Sequence, residues 1–243
     1  MDIEGIGHHI SRQYNEELED IRTKVMEMGG LVEMQLSNAI EALVESDRTM
    51  AEAVVLGDWK VNSLEVDIDE ECVQILARRQ PAAGDLRLIM TVIKTITDLE
   101  RIGDEAERIS KMSLKLHKTD VVDSSVSAIG HMGNLVRHMV HDALDAFARM
   151  DAEAALKVWH EDRKVDKEYE GIMRQLMTYM MEDPRSIPNI LDLLWSVRAL
   201  ERIGDRATNI CEYVMYLVKG KDVRHTTVEK MEQHVLGVDP KAS

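Results

Sequence analysis

Two segments of the chain carry the same six residues, LERIGD, and each contains a glutamate four positions before an aspartate. The pairs are Glu100 with Asp104 and Glu201 with Asp205. On an α-helix this spacing places both side chains on one face, about one turn apart. Paired carboxylates supply oxygen ligands, which suit hard cations such as Mg²⁺, Ca²⁺ or Mn²⁺ and also oxidised iron. The repeat therefore predicts two similar cation sites.

A second row of polar side chains precedes each LERIGD segment and could face it across a helix–helix contact. The members of this row are Asp58, Asn62, Glu65 and Asp69 in the first half of the chain, and Asp162 and Asp166 in the second. Clustered carboxylates repel one another unless a positive charge lies between them. That charge is either a cation or an arginine such as Arg101 or Arg202, and the residues alone leave both interpretations open.

Several catalytic signatures are absent from the sequence. No E-x-x-H occurs, which removes the usual di-iron bundle signature, and there is no nucleophile–base pair or glycine-rich phosphate loop. The residues alone therefore offer no catalytic group and leave two candidate cation sites. Two alternatives are kept. A carboxylate-bridged metal hydrolase or oxidase would need an open coordination position in a pocket. A purely structural helical scaffold would pair its carboxylates with arginines only.

Composition limits the elements that position these rows. Aromatic residues make up only 4% of the 243 residues, whereas Met numbers 16, and this balance favours a core of packed helices. The net charge of −15 argues against nucleic-acid binding and against polybasic attachment to anionic lipid. No uncharged segment is long enough to span a bilayer, and no signal peptide is evident. The two cysteines are predicted to be reduced and buried. We expect a cytoplasmic protein.

The spacing of apolar residues predicts six long helices. Leu18, Ile21 and Val25 begin a stripe with steps of three and four residues, which is typical of an amphipathic helix. Asp47 and Asp85 are predicted to cap the second and third helices. The predicted ranges are 10–46, 49–79, 85–118, 123–150, 152–182 and 187–219.

The two halves of the chain align beyond the shared hexapeptide. A shift of 104 positions matches several identical residues, among them Lys60 with Lys164, and the shift falls to 101 at the LERIGD segments. Further matched pairs are Asp47 with Asp151, Asp58 with Asp162, and Val61 with Val165. Such long-range self-similarity indicates duplication. The fold is predicted to be all-α, with two tandem homologous antiparallel three-helix bundles at 1–120 and 121–220, and a flexible polar tail at 221–243.

Two further clusters are given structural interpretations. His131, His138 and His141 lie near one face of the predicted fourth helix, together with Asp145, and are predicted to be solvated rather than metal-bound. The methionine-rich run 173–181 is predicted to belong to the core rather than to a partner groove.

Two three-helix halves, the segment QPAAGDLR before the third helix and LERIGD in both halves closely resemble the PhoU family, which comprises accessory proteins of the phosphate-specific transport system. The resemblance covers residues 9–219. It implies a non-enzymatic negative regulator of the phosphate-starvation regulon that also modulates phosphate uptake. Such a protein acts as an adaptor between the ATPase of the phosphate ABC transporter and a sensor histidine kinase. It would commonly be a homodimer, bind no nucleic acid and reach the membrane only through its partners.

The resemblance also implies metal binding, because E/D-x-x-x-D motifs carry multinuclear metal clusters in some family members. The metal could be Fe, Mn, Mg, Zn or Ca. The matching positions are Glu100 with Asp104, Glu201 with Asp205, Asp162 with Asp166, and Asp58 with Asn62, where Glu65 could replace the charge that Asn62 lacks. Arg101 and Arg202 are the candidate partner-binding residues.

Overall fold

The computed structural model describes residues 3–117, 120–224, 226 and 228–236, and in these residues it contains helices and turns without strands. The helices are α1 (Ile3–Glu45), α2 (Arg48–Gly57), α3 (Trp59–Arg79), α4 (Ala83–Ser113), α5 (Asp120–Arg149), α6 (Ala152–Glu182), α7 (Ile187–Lys219) and α8 (Val228–Leu236). A 3₁₀ turn, Pro184–Ser186, leads directly into α7. The prediction of an all-α fold is confirmed.

Three local predictions need correction. The predicted helix 49–79 is interrupted at Asp58, which separates α2 from α3. Residues 228–236 of the predicted tail form α8, because Met231 and Val235 provide an apolar side that is buried, whereas 237–243 lie outside the described residues. Asp85 does not cap α4. Its carboxylate instead accepts a hydrogen bond from the Tyr14 hydroxyl at 3.0 Å, and the position before α4 is Ala82.

The turns that open the second helix of each half are built alike. Ser46 and Met150 both adopt a left-handed backbone, with φ of 56° and 52°. Each is followed by a capping aspartate. Asp47 accepts from the Met50 amide, and Asp151 accepts from the amides of the second and third residues that follow it. Because these positions are related by the 104-residue shift, the structure carries the duplication into backbone conformation.

Four long helices, two from each half, form the centre of the molecule. Going around this centre, α1 packs on α4, α4 on α7, α7 on α5, and α5 on α1. The second helices lie outside it: α2 and α3 cover α1 and α4, whereas α6 covers α5 and α7. The two three-helix halves therefore share one continuous apolar core. None of the described helices has a segment long and apolar enough to cross a membrane.

Candidate functional site

The glycine of each LERIGD segment lies directly against an aspartate of the preceding helix. A Cβ atom placed on Gly103 would be 3.4 Å from Asp58 Oδ1, and one on Gly204 would be 3.5 Å from Asp162 Oδ1. In both halves the same atom would also touch the valine three residues after the aspartate, at 3.5 Å. The small residue therefore lets the two helices approach closely, as its repetition predicts. The duplicated contact brings the two acidic rows together.

The first site combines a buried aspartate with carboxylates from α4. Burial raises the pKa of the Asp58 carboxyl, and the negative charges of Glu107 and Asp104 raise it further. Asn62 opposes this shift, because its Nδ2 donates a hydrogen bond to Asp58 Oδ2 at 3.1 Å. Burial also raises the pKa of Glu100, with further contributions from Asp104, Glu65 and Asp58. Each of the five predicted residues therefore takes part in an interaction with Asp58 or Glu100.

The second site holds four carboxylates and no amide. Burial raises the pKa of Asp162 to about 6, and the charges of Asp166, Asp205 and Glu201 add to the shift. Thr208 works in the opposite direction, and its hydroxyl donates to the Gly204 carbonyl at 3.0 Å. Burial likewise raises the pKa values of Glu201 and Asp205. The four predicted residues form one cluster whose negative charge is incompletely compensated.

Several oxygen atoms at the two sites have no hydrogen-bond donor. Asp58 Oδ1, Asn62 Oδ1 and Glu201 Oε2 are buried and unpartnered, as is Oε1 of Gln35, which lies 3.3 Å from the Cβ position of Gly103. Such acceptors fit a hard cation chemically, because each is an oxygen ligand without a competing proton donor. In the described part of the chain, however, no three His, Cys, Asp or Glu side chains are arranged to hold a metal as they stand.

The candidate partner-binding arginines have different surroundings. Arg101 is exposed and pairs within its own helix, with Glu100 at 3.3 Å and Asp104 at 3.2 Å. Arg202 instead crosses from α7 to α4, where its Nη1 lies 3.0 Å from Glu105. Arginine pairing is therefore observed at both LERIGD segments, whereas cation binding stays a prediction.

A second ion pair links α7 to α4 beside that of Arg202. Arg206 Nη1 lies 3.0 Å from the buried carboxylate of Asp98, which also accepts from Asn209 Nδ2 at 3.4 Å. These pairs run antiparallel along the contact, and they place both LERIGD segments at one level of the molecule. The surface formed by α3, α4, α7 and α6 therefore carries the two carboxylate sites side by side, with an arginine–carboxylate ladder between them.

Three contributors were missed by sequence reasoning. Glu107 and Thr208 occupy the same repeat position, three residues after Asp104 and Asp205, and each acts on the aspartate of the facing helix. Extending the motif by one turn would have found them. Gln35 comes from α1, and its only signal is a polar side chain within that helix's apolar stripe.

The structural predictions for the histidine cluster and for the methionine-rich run 173–181 have different outcomes. His141 Nδ1 lies 2.7 Å from Glu33 Oε1, and His138 Nδ1 contacts the Asn134 carbonyl of its own helix at 2.6 Å. The prediction of a buried methionine run is wrong for Met177 and Met181, which are 52% and 76% exposed. These two residues lie on the exposed side of α6 rather than in the core.

Known proteins share the duplicated organisation of this chain. A family model described as "PhoU domain" matches residues 25–113 and 129–214, one match in each half. The "Phosphate-specific transport system accessory protein PhoU" of Escherichia coli (strain K12) is 52% identical over 239 residues, covering 98% of this chain and 99% of the relative. The homologue from Pseudomonas aeruginosa is 50% identical over 232 residues, with 96% of each chain covered.

Two solved structures share the fold. The crystal structure of PhoU from Pseudomonas aeruginosa has a TM-score of 0.81 and 48% identity, and covers 86% of this chain and 100% of that one. The crystal structure of the phosphate transport system regulatory protein PhoU from Streptococcus pneumoniae has a TM-score of 0.79 and 30% identity, with 86% and 99% covered. With its duplicated three-helix halves and paired carboxylate sites, the chain belongs to the PhoU family.

Proposed function

We propose that this protein is an accessory regulator of phosphate transport that holds the phosphate-starvation response off when phosphate is plentiful. The relatives that cover nearly the whole chain are named as accessory proteins of the phosphate-specific transport system, and their similarity supports this role. In the proposed mechanism the protein is a cytoplasmic homodimeric adaptor. It contacts the ATPase of the phosphate ABC transporter and a sensor histidine kinase, and it performs no catalysis itself.

One observation carries the proposed mechanism: both carboxylate sites lie on the same four-helix surface and at the same level. The inter-helix pairs Arg202–Glu105 and Arg206–Asp98 fix that level. A rigid helical platform with a band of charge across it is suited to protein docking, because charge complementarity gives specificity and orientation. We assign this band, made by α3, α4, α7 and α6, to partner recognition.

The proposal includes cation binding at both sites. Asp58, Glu65, Glu100 and Asp104 would hold the cation of the first site, and Asp162, Asp166, Glu201 and Asp205 that of the second. A bound divalent or ferric ion would supply positive charge in each site, where burial raises the pKa of Glu100 and of Asp162 and neighbouring carboxylates add to the shift. The protein's own part is to keep these oxygens together and to leave some of them, such as Asp58 Oδ1 and Glu201 Oε2, without a donor, so that the charge of the docking band depends on cation occupancy.

The test uses a matched pair of double variants. Glu201→Ala with Asp205→Ala removes two carboxylates of the second site. Glu16→Ala with Asp20→Ala removes an exposed pair of the same spacing on α1. The readout is a reporter driven by a phosphate-starvation promoter in cells grown with ample phosphate, together with pull-down of the transporter ATPase and the kinase.

We expect the second-site variant to lose repression and partner binding while its circular dichroism stays that of the wild type. The α1 variant should behave as the wild type in every assay. Full repression and full partner binding in the second-site variant would contradict the proposed role of the carboxylate band.

A further inference from the structure

Leu56 and Trp59 form a prominent apolar spot at the junction of α2 and α3. They are 75% and 64% exposed, and they lie about one helical turn apart, on either side of the buried Asp58. Neither side chain contributes to the core, so burial cannot explain their apolar character. Exposed large apolar side chains that lie together commonly mark an interaction site.

The internal repeat identifies what covers the equivalent surface in the other half. The 104-residue shift that relates the two capping aspartates places His160 opposite Leu56 and Arg163 opposite Trp59. At that position α8 packs against α6 and α7. His160 Nε2 lies 3.2 Å from Glu232 Oε1 of α8, and the apolar side of α8 is buried through Met231 and Val235.

The two equivalent surfaces therefore differ in both chemistry and cover. In the second half the positions are polar, and a short amphipathic helix of the same chain contacts His160, whereas Arg163 is exposed. In the first half the positions are apolar, and no helix of the described residues lies over them. A leucine and a tryptophan lose more exposed apolar area on being covered than a histidine and an arginine do. Tryptophan is also among the residues that dominate binding energy at protein interfaces.

We propose that Leu56 and Trp59 are the docking site for an amphipathic helix of a partner protein, with the pattern that α8 displays in the other half. The partner helix presents two apolar side chains one turn apart, as Met231 and Val235 do, and a carboxylate beside them, as Glu232 does. The exposed Lys60, next to Trp59, provides the charge that such a carboxylate would meet. This inference rests on the proposed adaptor function and names one of its contact surfaces.

The first experiment places a photo-crosslinking amino acid at position 56 of the full-length protein. The modified protein is mixed with the purified transporter ATPase and with the purified kinase, and the crosslinked peptides are identified by mass spectrometry. The matched control places the crosslinker at Met34 of α1, which is 52% exposed on a different surface. We expect a crosslink at position 56 to one helix of a partner with apolar residues one turn apart, and none from position 34. A crosslink only to a second copy of this chain would overturn the proposal.

The second experiment measures partner affinity for Leu56→Glu with Trp59→Glu, against Met34→Glu as control. We expect the double variant to bind the partner at least about tenfold more weakly, because two glutamates replace the apolar contact, and the control to bind normally. If the partners bind the double variant as tightly as the wild type, the docking site is overturned while the adaptor function stands. If neither partner binds even the wild type, the adaptor function fails and the docking site fails with it.

Discussion

The two carboxylate sites are built on the same helix–helix contact, but the side chains around Asp58 differ from those around Asp162. In the first site Asn62 donates to Asp58, and the amide of Gln35 lies nearby in the same buried corner. In the second site Asp166 replaces the asparagine and Met139 stands at the position equivalent to Gln35. Asp162 therefore faces three carboxylates, and only Thr208 opposes the rise of its pKa. The duplication therefore preserved the contact between the two helices of each site, whereas the charges around the aspartate at this contact became different. We therefore expect the second site to bind a cation more strongly than the first.

The ion pairs between α4 and α7 give a physical reason why the residue that follows LERIGD differs between the two halves. The residue that follows LERIGD is Glu105 in the first copy and Arg206 in the second. Glu105 pairs with Arg202, and Arg206 pairs with Asp98. Two glutamates would set one of them beside Asp98, and two arginines would set one of them beside Arg202. The contact between the halves is therefore electrostatically favourable only when the two copies differ at this position.

The largest effect is expected from breaking that ladder. Arg206→Ala leaves the buried Asp98 carboxylate with neutral donors only, and we expect a loss of about 2 kcal/mol in unfolding free energy. Arg101→Ala, at the position that corresponds to Arg202 in the other copy, removes only intrahelical pairs of an exposed arginine and should cost below about 0.5 kcal/mol. Urea denaturation of both variants provides the measurement. Equal losses would show that the ladder does not distinguish the halves.

Exchanging the residues at which the two sites differ tests the predicted difference in cation demand. Asp166→Asn gives the second site the pattern of the first, and Asn62→Asp does the reverse. We expect Asp166→Asn to weaken Mn²⁺ binding about tenfold, equivalent to about 1.4 kcal/mol, and Asn62→Asp to strengthen it. Isothermal titration calorimetry measures both affinities. Unchanged Mn²⁺ binding in both variants would favour arginine pairing as the role of the carboxylates.

Removal of the charge at Asp162 should stabilise the metal-free protein. Its folded pKa of about 6 is above the ordinary 3.8, so between these values the folded state keeps a proton that the unfolded state has lost. Stability from this group therefore rises as the pH falls from 7 towards 4. We expect Asp162→Asn to gain about 1 kcal/mol at pH 7 and progressively less towards pH 4.

Thermal unfolding in EDTA across this pH range is the measurement for Asp162→Asn. Asp58→Asn is the matched variant and should gain less, because Asn62 already partly offsets the cost of that buried charge. A destabilised Asp162→Asn protein at pH 7 would mean that the carboxylate serves the fold rather than a cation.

The smallest difference is expected at the two glycines. Alanine favours helix by up to about 1 kcal/mol over glycine, and the Cβ of Gly204→Ala would make ordinary contacts at 3.5 Å. In Gly103→Ala the Cβ would lie 3.3 Å from Gln35 Oε1, so that side chain must shift. We expect Gly204→Ala to be more stable than Gly103→Ala by about 0.5 kcal/mol in urea denaturation. The reverse order would show that the first site is the more adaptable one.

Sequence reasoning succeeded where the signal is local. The stripe that contains Leu18 and Ile21, and the capping Asp47, depend on neighbours within one or two turns, so periodicity and residue type suffice to predict them. The structure also brings the predicted carboxylates of each half close together, because the repeat marks the same helix faces twice.

Features that depend on which helices become neighbours could not be predicted in this way. Gln35 enters the first site from a helix distant in sequence, and the Arg206–Asp98 pair requires knowledge of the register between α4 and α7. The break at Asp58 was missed because the residues around it have the apolar spacing of one continuous helix. α8 was missed because it is short and mostly polar, and its two apolar residues are informative only once α6 and α7 provide a surface.

The shared four-helix centre has a consequence for how such a chain could be assembled. Because α1 packs on α5 and α4 packs on α7, each half buries the surface of the other that would otherwise be exposed to water. A single ancestral half could have made the same contacts with an identical copy, and the linker between α4 and α5 then turned a concentration-dependent pair into a permanent one. Two separately produced fragments, divided at that linker, should accordingly find each other in solution and rebuild the complete molecule.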